Sequence, residues 1–260
     1  MSADQFNYIL QLAHQIEWPP NREILPGSRA IYERGLDILN TYRGHPEVLV
    51  ESLRIFHSTN VLPYALAGLS ATLSLSSYIS GTDFEPVGTQ EALRWLKMAQ
   101  SMAPNLLEIN FHEAVLYVRA RQLDNARRVL DNLGKDPQSA RYFFFCIAEF
   151  VYWDCQGNLP KVQFWRDKAL AAASNSMQEY FVRHLFTAFY FNNGFYLDYI
   201  KAAQELIQVS PGDPWLWHNL SLAHFRLQQF PEAEYCNQKA LSLLDFQPAQ
   251  EMREQLRRRR

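Results

Sequence analysis

With 260 residues, 48% of them hydrophobic, 14% aromatic and 20% charged, the chain is long enough to bury a sizeable core and too apolar to be disordered. A net charge of −2 supplies no general attraction to nucleic acid or to an anionic membrane, because neither would release many counterions on binding. Three cysteines, Cys146, Cys155 and Cys236, include no CxxC pair and are too few for a disulfide framework, so free thiols in a reducing, cytoplasmic compartment are expected.

In chain order, the first residues lack the basic region and apolar core of a secretory signal. Ser2-x-x-Gln5 reads as a capping box for a helix to about Glu17, which Trp18-Pro19-Pro20 stops. Pro26 to Tyr42 and Pro46 to Ser58 follow as two more helices, the first ended by Gly44 and the second opened by Pro46. Val61 to Ser80 carries no charge and has the length of a membrane span, but Pro63, Gly68 and six Ser or Thr dilute it. Its leucines Leu62, Leu66, Leu69 and Leu73 recur at helical spacing, as in a helix packed on both sides inside a protein.

A longer break, Gly81 to Val87, precedes Glu91 to Pro104, which reads as a second helix of a pair around Ala92 and Ala99. Nearer the C-terminus a repeat becomes explicit. LPKVQFWRDKALAAA (Leu159 to Ala173) and FPEAEYCNQKALSLL (Phe230 to Leu244) share Pro in second place, an aromatic in sixth and Lys-Ala-Leu at the same distance. Pro160 and Pro231 are separated by two periods of about 34 residues plus a small insertion. No stretch alternates apolar and polar residues as a strand requires, so the chain is expected to be all-α.

In the last unit Trp217, Leu220, Ser221, His224, Ala233 and Ala240 occupy the positions of a recurrent pattern. The preceding unit supplies Phe186, Thr187, Tyr190, Gly194 and Pro211, and an earlier one Ala114, Tyr117 and Ala126. This pattern resembles the tetratricopeptide repeat. The resemblance implies a right-handed superhelical α-solenoid of antiparallel helix hairpins, with the first helix of each hairpin lining a concave face. It covers residues 88–245, leaving 1–87 as an N-terminal helical region and 246–260 as a capping helix with a basic tail. Phe150 and Tyr199 stand where the family has a small residue, and at Phe150 the hairpin is expected to be splayed or shifted.

Catalytic signatures are absent: there is no GxSxG, GxxxxGK[ST] or GxGxxG, and His112-Glu113 lacks the second histidine of a zinc-binding HExxH because Leu116 stands in its place. Glu149 and Asp154 are five apart, so they face different ways and make a poor acid–base pair. We therefore expect no enzyme activity, no metal and no cofactor. The stronger signal is aromatic, concentrated in Arg141 to Trp153 and Tyr180 to Tyr199.

Carried over from the family, the ligand-facing positions fall on Trp215, His218, Leu222, Phe225 and Arg226, on Phe181, His184, Ala188, Phe191 and Asn192, and on Phe144, Ile147, Val151, Asp154 and Cys155. Asn219 occupies one position of the family's carboxylate clamp, but His184 and Ala188 stand where its Lys and Asn would be, so no clamp is expected. The tail Arg257, Arg258, Arg259 and Arg260 is the one strong charge run, a solvated end or a contact for an acidic partner. The expected function is an adaptor that holds an apolar peptide or amphipathic helix of a protein partner in an aromatic groove. The alternative is a sensor closing an aromatic pocket around a small ligand.

Overall fold

A computed structural model describes residues 3–43, 45–78 and 86–259. Among them it has fourteen α-helices, one short 3₁₀ turn and no strand. The chain divides into two compact units, Met1–Gln178 and Glu179–Arg260. That division, at residues 178 and 179, lies between the sequence boundaries at 87 and 245 and inside a helix.

Unit 1 begins with α1 (Ala3–Gln15), α2 (Ser28–Leu39) and α3 (Pro46–Ser58). The hairpins α4 (Leu62–Tyr78) with α5 (Pro86–Met102), α6 (Leu107–Arg119) with α7 (Leu123–Leu133), and α8 (Phe143–Cys155) with α9 (Leu159–Ala172) follow. α10 (Ser176–Asn192) carries the chain into unit 2, which continues with α11 (Tyr196–Val209), α12 (Pro214–Arg226), α13 (Phe230–Leu243) and α14 (Gln247–Arg257). The predicted capping Ser2, the break at Gly44 and most of Gly81 to Val87 lie outside the described residues.

Boundaries follow local chemistry. Asp213 caps α12 by accepting hydrogen bonds from the Trp215 and Leu216 amides, and Asn158 caps α9 through the Lys161 amide. Pro214, Pro231 and Pro160 sit in first turns, where a missing N–H loses no helical bond. Gly194 takes φ +78 between α10 and α11, a left-handed turn that suits glycine.

The repeat is visible in one recurring hydrogen bond. In α12 the buried Ser221 hydroxyl donates to the Ala233 carbonyl of α13 at 2.7 Å, and in α4 the buried Ser70 hydroxyl donates to the Ala92 carbonyl of α5 at the same distance. A small residue on the first helix thus touches an alanine on the second in both hairpins. The hairpin α4–α5, which spans residue 88, thus shares this contact with the last hairpin.

α4 is buried on every side from Pro63 to Ser70, so its uncharged sequence serves packing within the protein. No helix among the described residues is long and apolar enough to cross a membrane. At Phe150, where a splayed or shifted hairpin is expected, α8 and α9 pack together as a hairpin. Phe150 is fully buried, as are Val162 and Ala169 of α9. Tyr199 is likewise buried, with its hydroxyl donating to the Leu216 carbonyl at 3.3 Å.

Candidate functional site

In unit 1 the predicted ligand-facing residues do not lie on an open face. Phe144 is 3% exposed. Phe111 stacks on it at 5.7 Å between centroids, with Phe143 edge-on at 5.1 Å. Ile147 is buried too.

Tyr142 is set edge-on to Phe144 at 5.8 Å, and the helix α2 packs on that ring and beyond it. The Arg29 guanidinium lies 5.2 Å over the Tyr142 ring and 2.6 Å from Glu108 on α6. Tyr32 stacks on Tyr64 of α4 at 4.7 Å, and its hydroxyl hydrogen-bonds His112 Nε2 of α6 at 2.5 Å. At its far end the buried Asp37 carboxylate accepts from Asn175 Nδ2 at 2.8 Å and Gln178 Nε2 at 2.9 Å. Successive side chains of α2 thus bond to α4, to α6 and to the residues that open α10. His112 is held neutral, its pKa lowered to about 3 by burial and by the Arg119 charge. It is a core histidine, and no three His, Cys, Asp or Glu side chains among the described residues gather as metal ligands.

Val151, Asp154 and Cys155 remain half-buried at the other end of α8. Arg121 donates to Cys155 Sγ at 3.0 Å. Burial raises the Asp154 carboxyl to about 6, although the Arg121 charge opposes it. A carboxyl whose pKa is higher folded than unfolded binds its proton more tightly in the folded chain. Its contribution to stability therefore declines as pH rises from about 4 to about 6, and the full penalty stands above that. Asp154→Asn is expected to raise stability by about 1–2 kcal/mol at pH 7.5, allowing for partial exposure, and to change little at pH 4. Thermal melts of both proteins at the two pH values measure this; equal shifts at both would refute it.

In unit 2 the cap helix takes up much of the predicted groove. Phe246 tilts against Trp215 at 4.8 Å and against His218 at 5.5 Å, leaving His218 only 4% exposed. Burial lowers the His218 pKa to about 4, despite Glu251 nearby. Leu222 and Phe225 pack, with Phe230, on the cluster of Ala233, Met252 and Leu256. Arg259 lies 5.9 Å over Phe225.

On α10, Phe191 is set edge-on to Tyr196 and Tyr199, and His184 stacks on Tyr180. Phe181 is half-buried, and Asn192 and Arg226 are exposed. Arg257 pairs with Glu254 at 2.8 Å; Arg258 and Arg259 are exposed, and Arg260 lies outside the described residues. Phe144 and His218 are thus corrected to interior positions, closed by neighbouring rings and by α14. Trp215, Leu222 and Phe225 are partly occupied by the cap, while Phe181, His184, Asn192 and Arg226 keep accessible surface.

Sequence reasoning missed a polar cleft of about 620 Å³ in unit 1, between α5 and α7 with α6 as its floor. The floor residues Asn110, Glu113 and Tyr117 follow i, i+3, i+7 spacing, turned away from the stripe of Phe111, Val115 and Val118. Glu113 takes a 2.6 Å ion pair from Lys97 and a 2.9 Å bond from Gln100, which also donates to Asn110. Burial pushes the Glu113 carboxyl up, but the bonds from Lys97, Gln100 and Tyr117 outweigh it and hold the group below its ordinary range. The available signal was Asn125, Arg128 and Asn132 on one stripe of α7.

No protein-family model and no curated protein matches the chain. Among solved structures, that of a tetratricopeptide repeat protein from Parabacteroides merdae is similar at TM-score 0.55 and 15% identity, covering 90% of this chain and 86% of that one. The chain has the fold of a tetratricopeptide-repeat protein, an all-helical α-solenoid of antiparallel helix pairs.

Proposed function

We propose that the chain is a non-enzymatic interaction scaffold whose unit 2 takes an apolar or amphipathic segment of a protein partner. The observation that carries this reading is the set of accessible side chains left on α10 and α12. There Phe181 and His184 are half-buried and Asn192 and Arg226 are exposed, so apolar and polar side chains of the kinds that interfaces combine are left accessible. The rings of Trp215 and Phe225 back this surface but also hold α14, so their truncation would loosen the cap and confuse loss of binding with loss of structure.

The discriminating variant therefore combines Phe181→Ala with Arg226→Glu. Capture from an extract of the source cells, read by quantitative mass spectrometry, is expected to fall at least tenfold relative to the parent chain, with the circular-dichroism melt little changed. An identical captured set would sink the assignment. Native mass spectrometry of the purified chain tests the small-ligand alternative, because a sensor would carry a small molecule and a scaffold a polypeptide.

A further inference from the structure

The cleft over α6 differs in chemistry from the aromatic surface just discussed. Side-chain carboxamides dominate it: Gln100 and Asn110 on one side, Asn125 and Asn132 on the other. A carboxamide offers a donor and an acceptor, the same pair that each peptide unit of an extended backbone presents. Asn110 and Asn125 are each bonded at both ends of the amide, while the other two have a whole group left. Gln100 uses its NH₂ on Asn110 and Glu113, leaving its oxygen, and Asn132 uses its oxygen on Lys135, leaving its NH₂.

Charge narrows the ligand further. Arg128 is exposed on the α7 wall, hydrogen-bonded to Asn125 Oδ1, and pairs with no carboxylate among the described residues. Lys97 is already engaged by Glu113. A polyphosphate or nucleic acid strand would therefore meet one available cation and the ionised Glu113 carboxylate in the floor, a poor match for repeated negative charge. A wholly apolar helix would find only Pro104, Val129 and Leu133.

From Asn125 to Asn132 is roughly 10 Å along the α7 axis, the length of about three residues of extended chain. We propose that this cleft is a second binding site, for an extended polypeptide segment with one acidic side chain. Its carboxylate pairs with Arg128, its backbone is met by the Gln100 oxygen and the Asn132 NH₂, and a neighbouring apolar side chain rests on Val129 and Leu133.

The test uses the full chain and two libraries of nine-residue peptides, N-acetylated and C-amidated, one with a fixed central Glu and one with Gln. The Glu library is expected to yield peptides that bind in fluorescence anisotropy. Arg128→Glu should weaken them at least tenfold, as should Gln in place of the peptide's Glu. Arg128→Gln, which keeps the hydrogen-bonding character without the charge, should weaken them by a smaller factor. Phe181→Ala with Arg226→Glu should leave them unaffected, which separates this site from the surface on unit 2. Failure of the Glu library to enrich any peptide, equal enrichment from the Gln library, or equal binding by Arg128→Glu would each overturn the proposal. Arg128 is on the surface of α7, so a circular-dichroism melt is expected to show these variants folded.

Discussion

Gly68→Ala is expected to destabilise unit 1 by about 3 kcal/mol, the upper part of the usual range for overpacking a core. Alanine in place of glycine inside a helix ordinarily stabilises it, by up to about 1 kcal/mol, so the sign itself is diagnostic. A Cβ at Gly68 would lie 2.1 Å from Phe56 Cγ, and one at Gly35 would lie 2.5 Å from Phe56 Cε1. The ring is thus wedged between the backbones of α2 and α4, and it is almost fully buried with Tyr32 set 5.6 Å away. Cγ lies on the χ2 axis, so flipping the ring cannot carry it clear. Gly212→Ala, with nothing within 4 Å of the added carbon, is the neutral control. Adding Phe56→Leu to Gly68→Ala should recover about 1 kcal/mol, because the two positions share one space. Urea denaturation followed by circular dichroism reads all three. A Gly68→Ala chain as stable as the parent would show that α2 and α4 are not held this close.

The second large effect lies between α7 and α8. Arg127 makes two hydrogen bonds to the Glu149 carboxylate, at 2.8 and 3.0 Å, and Glu149 also accepts from Trp153 Nε1 at 3.1 Å. Glu149 is 4% exposed, and the guanidinium lies over the rings of Tyr152 and Trp153. Removing the cation leaves a buried negative charge with one indole donor. Arg127→Met is accordingly expected to cost about 3–4 kcal/mol. Arg127→Met with Glu149→Met removes both charges and should cost much less, about 1 kcal/mol or under, because two desolvated ions are replaced by apolar groups of similar reach. Equal losses in the single and double variants would mean that shape, rather than the ion pair, holds α7 on α8.

Sequence patterns expose interactions that recur at fixed spacing. The pairing of Pro160 with Pro231 and the alanines Ala92, Ala126 and Ala233 made the hairpins readable, since each hairpin touches its neighbours in the same way. Burial was harder to read. Phe144 and Trp215 occupy positions that face a ligand in an open array, but neighbouring rings close over Phe144 and Phe246 over Trp215, contacts with no second copy to reveal them. Contacts such as Tyr32 to His112 or Asp37 to Gln178 join distant residues once only, so no period announces them. The polar cleft escaped notice for a different reason: Asn125, Arg128 and Asn132 on an exposed stripe look like any solvated helix face until the α5 wall stands opposite.

The bonds from Asp37 to Asn175 and Gln178 bear on how unit 1 folds. A simple repeat array gains its stability from neighbours and can nucleate anywhere along its length. Here a side chain on the second helix is satisfied only after almost the whole unit has been threaded into place. Closing so long a loop adds an entropic barrier that adjacent hairpins do not face. Unit 1 should consequently unfold as one cooperative block rather than fray from its N-terminus, and a fragment beginning at α4 would leave His112 without Tyr32 and Gln178 without Asp37.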